Sequence, residues 1–362
     1  MGPPAADRIR GGGPFFPAGA TRLPGITRTA RLPGSDSVTQ EHDASYLQRL
    51  EAFAEAFRED FRRRDQARWA AVYLQGLLLA TAERKTIGTM ARHVVLPADL
   101  VVEDVGQALQ NFVNQSPWDE RPILRRMRAR VAAAIAEDDG AIVIDELAIA
   151  KQGRYSVGVQ RQFSGTLGRK TNCQVATVLY HYGPSGVWPL SLRLYLPKSW
   201  LGNDARLDSA GVPAAYRRPQ SKAAIALELL DALRAEGWAC RVVVAGAADA
   251  DLLAALHERG LTYLAEPEPK QPPSSAETQA GLRADNADLP TSNELIDDRL
   301  QRLWHGRREA RQLGRSLLQD FGLEHFEGRS WRGFHHHASL VFLALAFRSL
   351  EQIGAVGLST VP

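Results

Sequence analysis

The sequence predicts an α/β protein, in which a mixed sheet is preceded by an all-helical region and followed by C-terminal helices. First, a short apolar run at 141–144 ends on the acidic pair Asp145 and Glu146, as when a buried strand brings carboxylates to a sheet edge. Second, two β-rich runs at 173–181 and 188–196 flank a Gly-Pro-Ser-Gly turn. Third, strand-like and helical segments alternate afterwards, which favours a mixed sheet.

Apolar residues at helical spacing predict helices on both sides of this block. Those before it cover the segments 44–82, 84–95, 97–112 and 122–137. After it we expect a helix, a strand, a helix and a strand, at 220–236, 241–244, 250–259 and 261–264. Two further helices are predicted at 293–321 and 338–353, the second starting directly after His335, His336 and His337.

Composition divides the chain into five parts. Residues 1–43 are rich in Gly and Pro and are expected to form a disordered tail. Residues 44–138 form the helical domain and 139–265 the sheet core, whose strand-borne acid followed by an antiparallel hairpin is typical of an RNase H-like nuclease fold. Residues 266–292 are a linker by composition, and 293–362 supply helices that complete the core.

Overall composition restricts the class of protein. The chain has 362 residues, of which 44% are hydrophobic and 23% charged, as in ordinary globular proteins. There is no apolar run of the roughly 20 residues that a membrane span requires, and no secretory leader, so we expect a cytoplasmic protein without a membrane partner. The two cysteines, Cys173 and Cys240, do not suggest a disulfide framework or a metal site. Arginines cluster at 58–68, 121–130 and 302–332, which fits either phosphate binding or solvated helix faces.

The central block resembles the bacterial DDE-type insertion-sequence transposases of the group with the YREK signature. The matching residues lie at 145–146, 151–153, 156–162, 165–168, 172–175 and 188–200, with flanking matches at 83–85, 109–119 and 322–337. The resemblance implies an RNase H-like core, DNA as the partner, and a DNA-recognition role for the helical domain 44–138.

The same resemblance implies three carboxylates that hold two divalent cations for in-line displacement at phosphorus. Asp145, with Glu146 beside it, matches the first acid. The second acid should follow the strand at 241–244, but Gly246 stands at that position. Asp249 follows three residues later, either as a replacement brought back by a loop or as a helix cap.

The third acid is replaced as well. Counting through the signature places Arg311 at the glutamate position and Leu318 at the lysine position, while Arg307 retains the arginine. Of the nearby acids, Glu309 points about 200° away on a helix, and Glu327 lies just beyond the signature. The linker also replaces a long β insertion of the family. We therefore expect no metal cofactor.

Three functions remain open at this point. The first is a transposase-like, domesticated protein that has lost two-metal catalysis and binds DNA or regulates. The second is a recruited enzyme that uses Asp145 or Glu146 in acid–base chemistry on a small molecule. The third is an active transposase that uses Asp145, Asp249, Glu327 and magnesium. A homo-oligomer is compatible with all three.

Several basic residues are predicted to contact DNA. Four arginines on the helix before the core could form a band along a phosphate backbone, because residues three and four apart share a helix face. These are Arg125, Arg126, Arg128 and Arg130; the other candidates are Lys151, Arg307, Arg329, Trp331 and Arg332. We also predict that Arg311 contacts Asp145, directly or through water, in place of a metal. The three consecutive histidines diverge by about 100° each on a helix and are not expected to share a metal.

Overall fold

A mixed sheet forms the centre of the computed structural model, which describes residues 44–80, 83–98, 100–135, 140–164, 168–247, 250–266 and 298–354. The predicted tail, Asp249 and almost all of the linker lie outside these residues. The described residues belong to one compact unit. The division between 44–138 and 139–265 stays a prediction.

Six strands make up the sheet: β1 (Ala141–Ala150), β2 (Gln160–Ser164), β3 (Arg169–Gly183), β4 (Gly186–Leu194), β5 (Val242–Ala247) and β6 (Thr262–Glu266). β3 pairs antiparallel with β1 on one edge and with β2 and β4 on the other. β1, β5 and β6 are parallel neighbours, and a helix connects β5 to β6. This arrangement confirms the predicted mixed α/β class.

β1 is longer than predicted and changes the setting of the acidic pair. The strand continues to Ala150 because Leu147 and Ile149 are fully buried and extend the apolar pattern. Asp145 therefore lies in the middle of β1, where Val178 of β3 is its register partner, and not at the end of the strand.

Eleven helices are found in the described residues. They are α1 (Ala44–Glu55), α2 (Arg64–Leu79), α3 (Ile87–His93), α4 (Val105–Asn114), α5 (Glu120–Ile135), α6 (Lys198–Leu201), α7 (Asp204–Ser209), α8 (Lys222–Ala235), α9 (Ala250–Glu258), α10 (Asp298–Asp320) and α11 (Trp331–Gln352). α4 begins at Val105 because the Asp104 carboxylate accepts the Gln107 N–H and caps it there. Among these helices, none is long and apolar enough to cross a membrane.

α11 begins seven residues earlier than predicted, because Ser330 caps it and Trp331 starts it. The three histidines therefore lie inside the helix, and all are buried. α11 packs against α2, α4, α5 and β4, so the C-terminal helix joins the helical region to the sheet. This explains why its apolar residues cover the whole circumference and show no single face.

α10 crosses the sheet at close range because it presents a stripe of small residues, Gly306, Ala310 and Gly314. A Cβ atom at Gly314 would lie 2.7 Å from the Tyr180 ring, and one at Gly306 would lie 1.8 Å from the Tyr182 hydroxyl. Tyr180 shares its sheet face with Val178 and hence with Asp145. The small residues therefore place α10 directly over the face that carries Asp145.

Candidate functional site

Asp145 is bound by an arginine of α10. The residue is 6% exposed. Arg315 donates from Nε to Oδ2 at 2.7 Å and from Nη2 to Oδ1 at 2.5 Å, which is the bidentate geometry typical of strong guanidinium–carboxylate pairs. Burial raises the pKa of Asp145, and the hydrogen bonds and charge of Arg315 oppose that rise.

Arg311 lies against Gly246, so the two positions at which substituted acids were predicted are neighbours in space. A Cβ atom built on Gly246 would lie 3.7 Å from Nη2 of Arg311, an ordinary contact distance. Burial lowers the pKa of Arg311, while the charges of Asp145 and Glu266 oppose this. Its Nη1 lies 3.7 Å from Oε1 of Glu266, and its buried Nε and Nη2 have no hydrogen-bond acceptor among the residues that the structure describes.

Glu266, the last residue of β6, offsets the positive charge of Arg307 and Arg311. Arg307 donates from Nε to Glu266 Oε1 at 3.0 Å, and its guanidinium lies 3.7 Å from the centre of the Trp304 ring. Arg307 is 5% exposed, so it is a buried structural cation and is not available to DNA in this structure. Glu266 was predicted to begin the linker, but it is the last residue of a parallel strand.

Arg307, Arg311 and Arg315 thus recur every fourth residue along α10, next to the small-residue stripe. Because residues four apart share a helix face, all three guanidinium groups extend over the same region of the sheet. The hydrogen bonds to Asp145 come from Arg315, one helical turn beyond Arg311. The contact of Arg311 with Asp145, direct or through water, stays a prediction. Our sequence reasoning did not select Arg315 or Glu266, although the four-residue repeat of arginine was visible.

Glu146 lies on the other face of the sheet. Successive side chains of a strand point to opposite faces, so Glu146 points away from α10. It is exposed and pairs with Lys222 at the start of α8. The adjacent acids of the sequence therefore do not face one common cleft.

Glu327 and Lys151 lie together beyond the end of β1. The Lys151 ammonium donates to the Phe326 carbonyl at 2.7 Å; burial lowers the pKa of Lys151 to about 8, partly opposed by the charges of Glu324 and Glu327. Lys151 is six residues past Asp145, a separation of roughly 20 Å along an extended strand. Glu327 is therefore placed away from Asp145.

The four arginines of α5 do not form an exposed band. Arg126 binds Asp60 through two hydrogen bonds of 2.5 and 3.2 Å. Arg128 binds Glu236 through two of 2.7 Å and also donates to the Leu190 carbonyl. The remaining two are Arg130, which is 9% exposed and packs over Phe53, and Arg125, whose side chain is 68% exposed. The exposed band was therefore predicted wrongly. Arg128 and Arg130 are buried, and Arg126 is partly buried and bound to Asp60.

The remaining predicted residues are dispersed. Trp331 is buried and stacks on Tyr216, and Leu318 is fully buried. Arg332 is exposed and donates to the Gln115 carbonyl. Arg329 is exposed, and its guanidinium lies 5.2 Å from the centre of the Tyr155 ring. Of these, Arg329 and Arg332 remain accessible to a ligand.

The residues present do not fit a two-cation centre. In the described part of the chain, no three His, Cys, Asp or Glu side chains are grouped so that they could hold a metal ion. Asp145 has both oxygens occupied by Arg315, Gly246 offers no ligand, and Arg311 brings a positive charge. Magnesium requires several oxygen ligands in octahedral geometry, which this arrangement does not supply.

The sheet order β4-β3-β1-β5-β6, with an acid in the middle of β1 and a late helix crossing it, is that of an RNase H-like nuclease. The pattern of the family described as DDE superfamily endonuclease matches residues 56–277, and the chain belongs to that family. It is similar to a protein of Microchaete diplosiphon described as a probable transposase for insertion sequence element IS701. The two are 27% identical over 197 residues, 53% of this chain and 47% of the relative.

The family match confirms the resemblance inferred from the motifs. The chain spans about half the length of this curated relative. The segment that matches the family pattern ends at residue 277, before α10. Arg307, Arg311 and Arg315 therefore lie outside it.

Proposed function

We propose that this chain is a transposase-derived protein that binds DNA without cleaving it by two-metal catalysis. One observation carries the proposal: of the candidate acids in the described residues, Asp145 alone lies in the expected cleft, hydrogen-bonded to Arg315 and with Arg311 against Gly246. A domesticated, regulatory role follows from binding without cleavage.

Electrostatics supports the loss of metal binding. An arginine remains charged at all ordinary pH values, so Arg311 and Arg315 would repel a divalent cation placed between them. A cation at Asp145 would also have to displace a bidentate guanidinium from a buried carboxylate. Glu266, the acid that lies 3.7 Å from Arg311, already accepts a hydrogen bond from Arg307.

DNA binding is supported by family membership, since DDE endonucleases act on DNA, and by exposed arginines such as Arg329 and Arg332. Guanidinium groups bind phosphates well because their planar N–H donors match phosphate oxygens. Retained phosphate contacts combined with a closed metal cleft would give binding without strand cleavage.

The two alternative functions have weaker support. A recruited enzyme that used Asp145 or Glu146 as an acid or base would need that carboxylate free, but Asp145 is hydrogen-bonded to Arg315 and Glu146 is paired with Lys222. An active transposase using Glu327 would need that carboxylate near Asp145, whereas it lies beside Lys151. Asp249, the remaining acid of that alternative, lies outside the described residues.

The proposal is tested with supercoiled plasmid and labelled duplex DNA, incubated with magnesium or manganese. We expect DNA binding in a mobility-shift assay and no nicking or strand transfer above background. Asp145→Asn is the matched control, because contaminating nucleases are indifferent to it. Metal-dependent nicking that is lost in this variant would refute the absence of catalysis, and no binding at low salt would refute the DNA-binding part.

A second experiment tests the assignment of the substituted positions. The triple variant Gly246→Asp, Arg311→Glu, Arg315→Gln places acids beside Asp145 and removes its arginine partner. We expect manganese to raise the melting temperature of this variant and to leave that of the parent unchanged, since a ligand that binds only the folded state stabilises it. An equal, Asp145-dependent increase in the parent would contradict the proposed closure of the site.

A further inference from the structure

We propose that one face of the β2–β3 hairpin binds unpaired nucleotides of DNA, with a base stacked on Phe163 and phosphates on Arg161 and Lys170. These three residues are termed the hairpin face. The inference rests on the DNA binding proposed above and identifies the form of DNA that is bound and the residues that bind it.

Strand register places the three side chains together. Phe163 is the partner of Lys170 across the hairpin, and Arg161 is the partner of Asn172. Side chains alternate between faces along a strand, and directly paired residues share a face. Arg161, Phe163 and Lys170 therefore project on the same side, whereas Arg169 projects on the other.

The hairpin face is open to solvent and carries unpaired positive charge. Phe163 is 68% exposed, which is unusual for a large apolar ring. Arg161 and Lys170 are also exposed, and neither has an acidic partner among the described residues. The sequence explains this, because no Asp or Glu occurs between Glu146 and Asp204. On α5, by contrast, Arg126 and Arg128 are bound by acids.

The hairpin face also continues the side of the sheet on which Asp145 lies. Lys170 and Val178 are eight residues apart on β3, so they point to the same side, and Val178 is the partner of Asp145. The distance along the strand is roughly 27 Å. α10 covers this side of the sheet around Asp145, whereas the hairpin face at the other end of β3 is exposed.

A second exposed aromatic lies close to this path. The Asn172 side chain shares the side of the hairpin face and donates to the carbonyls of Lys151 and Gly153 at 2.8 and 2.7 Å. The loop that starts there carries Tyr155, which is 58% exposed, with the Arg329 guanidinium 5.2 Å from its ring centre. Tyr155 and Arg329 thus form a second exposed aromatic ring with a cation beside it.

This combination favours unpaired nucleotides over duplex DNA. In a duplex the faces of the bases are covered by their neighbours, and only phosphates and base edges are accessible. An exposed aromatic ring therefore finds no base face to stack on in a duplex. It can stack on the face of an unpaired base while nearby cations bind the phosphates. The pairing of Phe163 with Lys170 supplies both contacts within one site.

The test uses fluorescence anisotropy with a labelled oligonucleotide, single-stranded or annealed to its complement, over a series of salt concentrations. We expect Phe163→Ala and Phe163→Leu to weaken single-strand binding by about 5- to 150-fold, the range given by the loss of one stacked base, and to change duplex binding little. Leucine keeps an apolar side chain, so its effect isolates the loss of the aromatic ring.

The charges are tested with the double variant Arg161→Ala, Lys170→Ala. Each lost phosphate contact should reduce the slope of log affinity against log salt by about 0.7 on single-stranded DNA. The matched control is Arg169→Ala with Arg234→Ala, which removes the same charge from exposed positions away from the hairpin face and should retain most of the slope.

The outcomes separate this inference from the proposed function. If the parent binds DNA but the hairpin-face variants bind as it does, the inference is wrong and the proposed function stands. If Phe163→Ala alters the oligomeric state and leaves DNA binding unchanged, the ring serves self-association and the inference is again wrong. If the parent binds neither form of DNA at low salt, both proposals fail.

Discussion

Two buried histidines of α11 should make the protein unstable in mild acid. Nε2 of His335 accepts the Leu194 N–H at 3.4 Å and its Nδ1 lies 2.8 Å from the Trp331 carbonyl. Nδ1 of His337 lies 2.9 Å from the Tyr73 hydroxyl and its Nε2 lies 3.0 Å from the Gly322 carbonyl. The neutral imidazole satisfies all four of these contacts. Protonation would place an N–H of His335 against the Leu194 N–H, whereas the Tyr73 hydroxyl can also accept from His337.

Burial lowers the pKa of both rings from 6.5 to about 4. Since the pKa is lower in the folded state, the unfolded chain binds more protons between pH 6.5 and 4. The contribution of the two histidines to the free energy of unfolding is fully present above pH 6.5. It is lost as the pH falls from 6.5 towards 4. From pH 7 to pH 5, each histidine should cost about 1.8 kcal/mol, and the two together about 3.5 kcal/mol. This is a large part of a typical folding free energy.

His336 should contribute less, although burial also lowers its pKa to about 4. Its two ring nitrogens lie 3.0 Å from the carbonyl oxygens of Val113 and Trp118. Both partners are acceptors, so a neutral ring can satisfy only one of them. Protonation would supply the second donor and offset part of the cost of charging a buried ring.

Urea unfolding followed by tryptophan fluorescence at intervals from pH 7.5 to 5 measures this dependence. We expect His335→Gln or His337→Gln to reduce the slope of the unfolding free energy against pH by up to about 1.36 kcal/mol per pH unit. The variant His305→Gln, at an exposed position on α10, should retain the parent slope. A parent stability that is flat over this range, or an unchanged slope in both buried variants, would refute the reasoning.

Two further predictions concern packing and charge. Arg128→Ala should destabilise the fold by about 2–4 kcal/mol, because it leaves Glu236 largely buried without its partner. The control Arg125→Ala, at a largely exposed position on the same helix, should cost at most about 0.5 kcal/mol in the same urea assay. Equal effects would contradict the assignment of Arg128 to the interior. Gly314→Ala should cost about 1–3 kcal/mol because its Cβ would press on the Tyr180 ring, and Gly153→Ala, which meets no atom within 4 Å, should be close to neutral. A neutral Gly314→Ala would mean that α10 lies further from the sheet.

Five of the six strands were predictable because local patterns determine them, whereas the largely polar β2 was not predicted. Apolar runs of four to ten residues, separated by turn residues, specify strands whatever their partners are. The predicted strands at 141–144, 173–181 and 241–244 all fall inside or largely inside observed strands. Boundaries were less accurate where capping residues decided them, as Asp104 did for α4 and Ser330 for α11.

The family was also determined by the sequence alone, since its motifs occupy contiguous blocks that the family match confirms. The sequence also predicts Gly246 and Arg311 at positions where the family resemblance implies acids, and this alignment stays a prediction. What the sequence could not specify was the replacement contact. Arg311 and Arg315 lie one turn apart on α10 and are equivalent in any local pattern.

Only the tertiary structure decided which charges are paired and which are free. Arg315 binds a carboxylate 170 residues away in the chain, and Arg128 binds one 108 residues away. Periodicity shows that a helix has a charged face, but not whether an acid of another element lies opposite it. The physical reason is that an ion pair depends on the separation of two side chains within a few ångströms, and packing of the small residues of α10 against the sheet sets that separation.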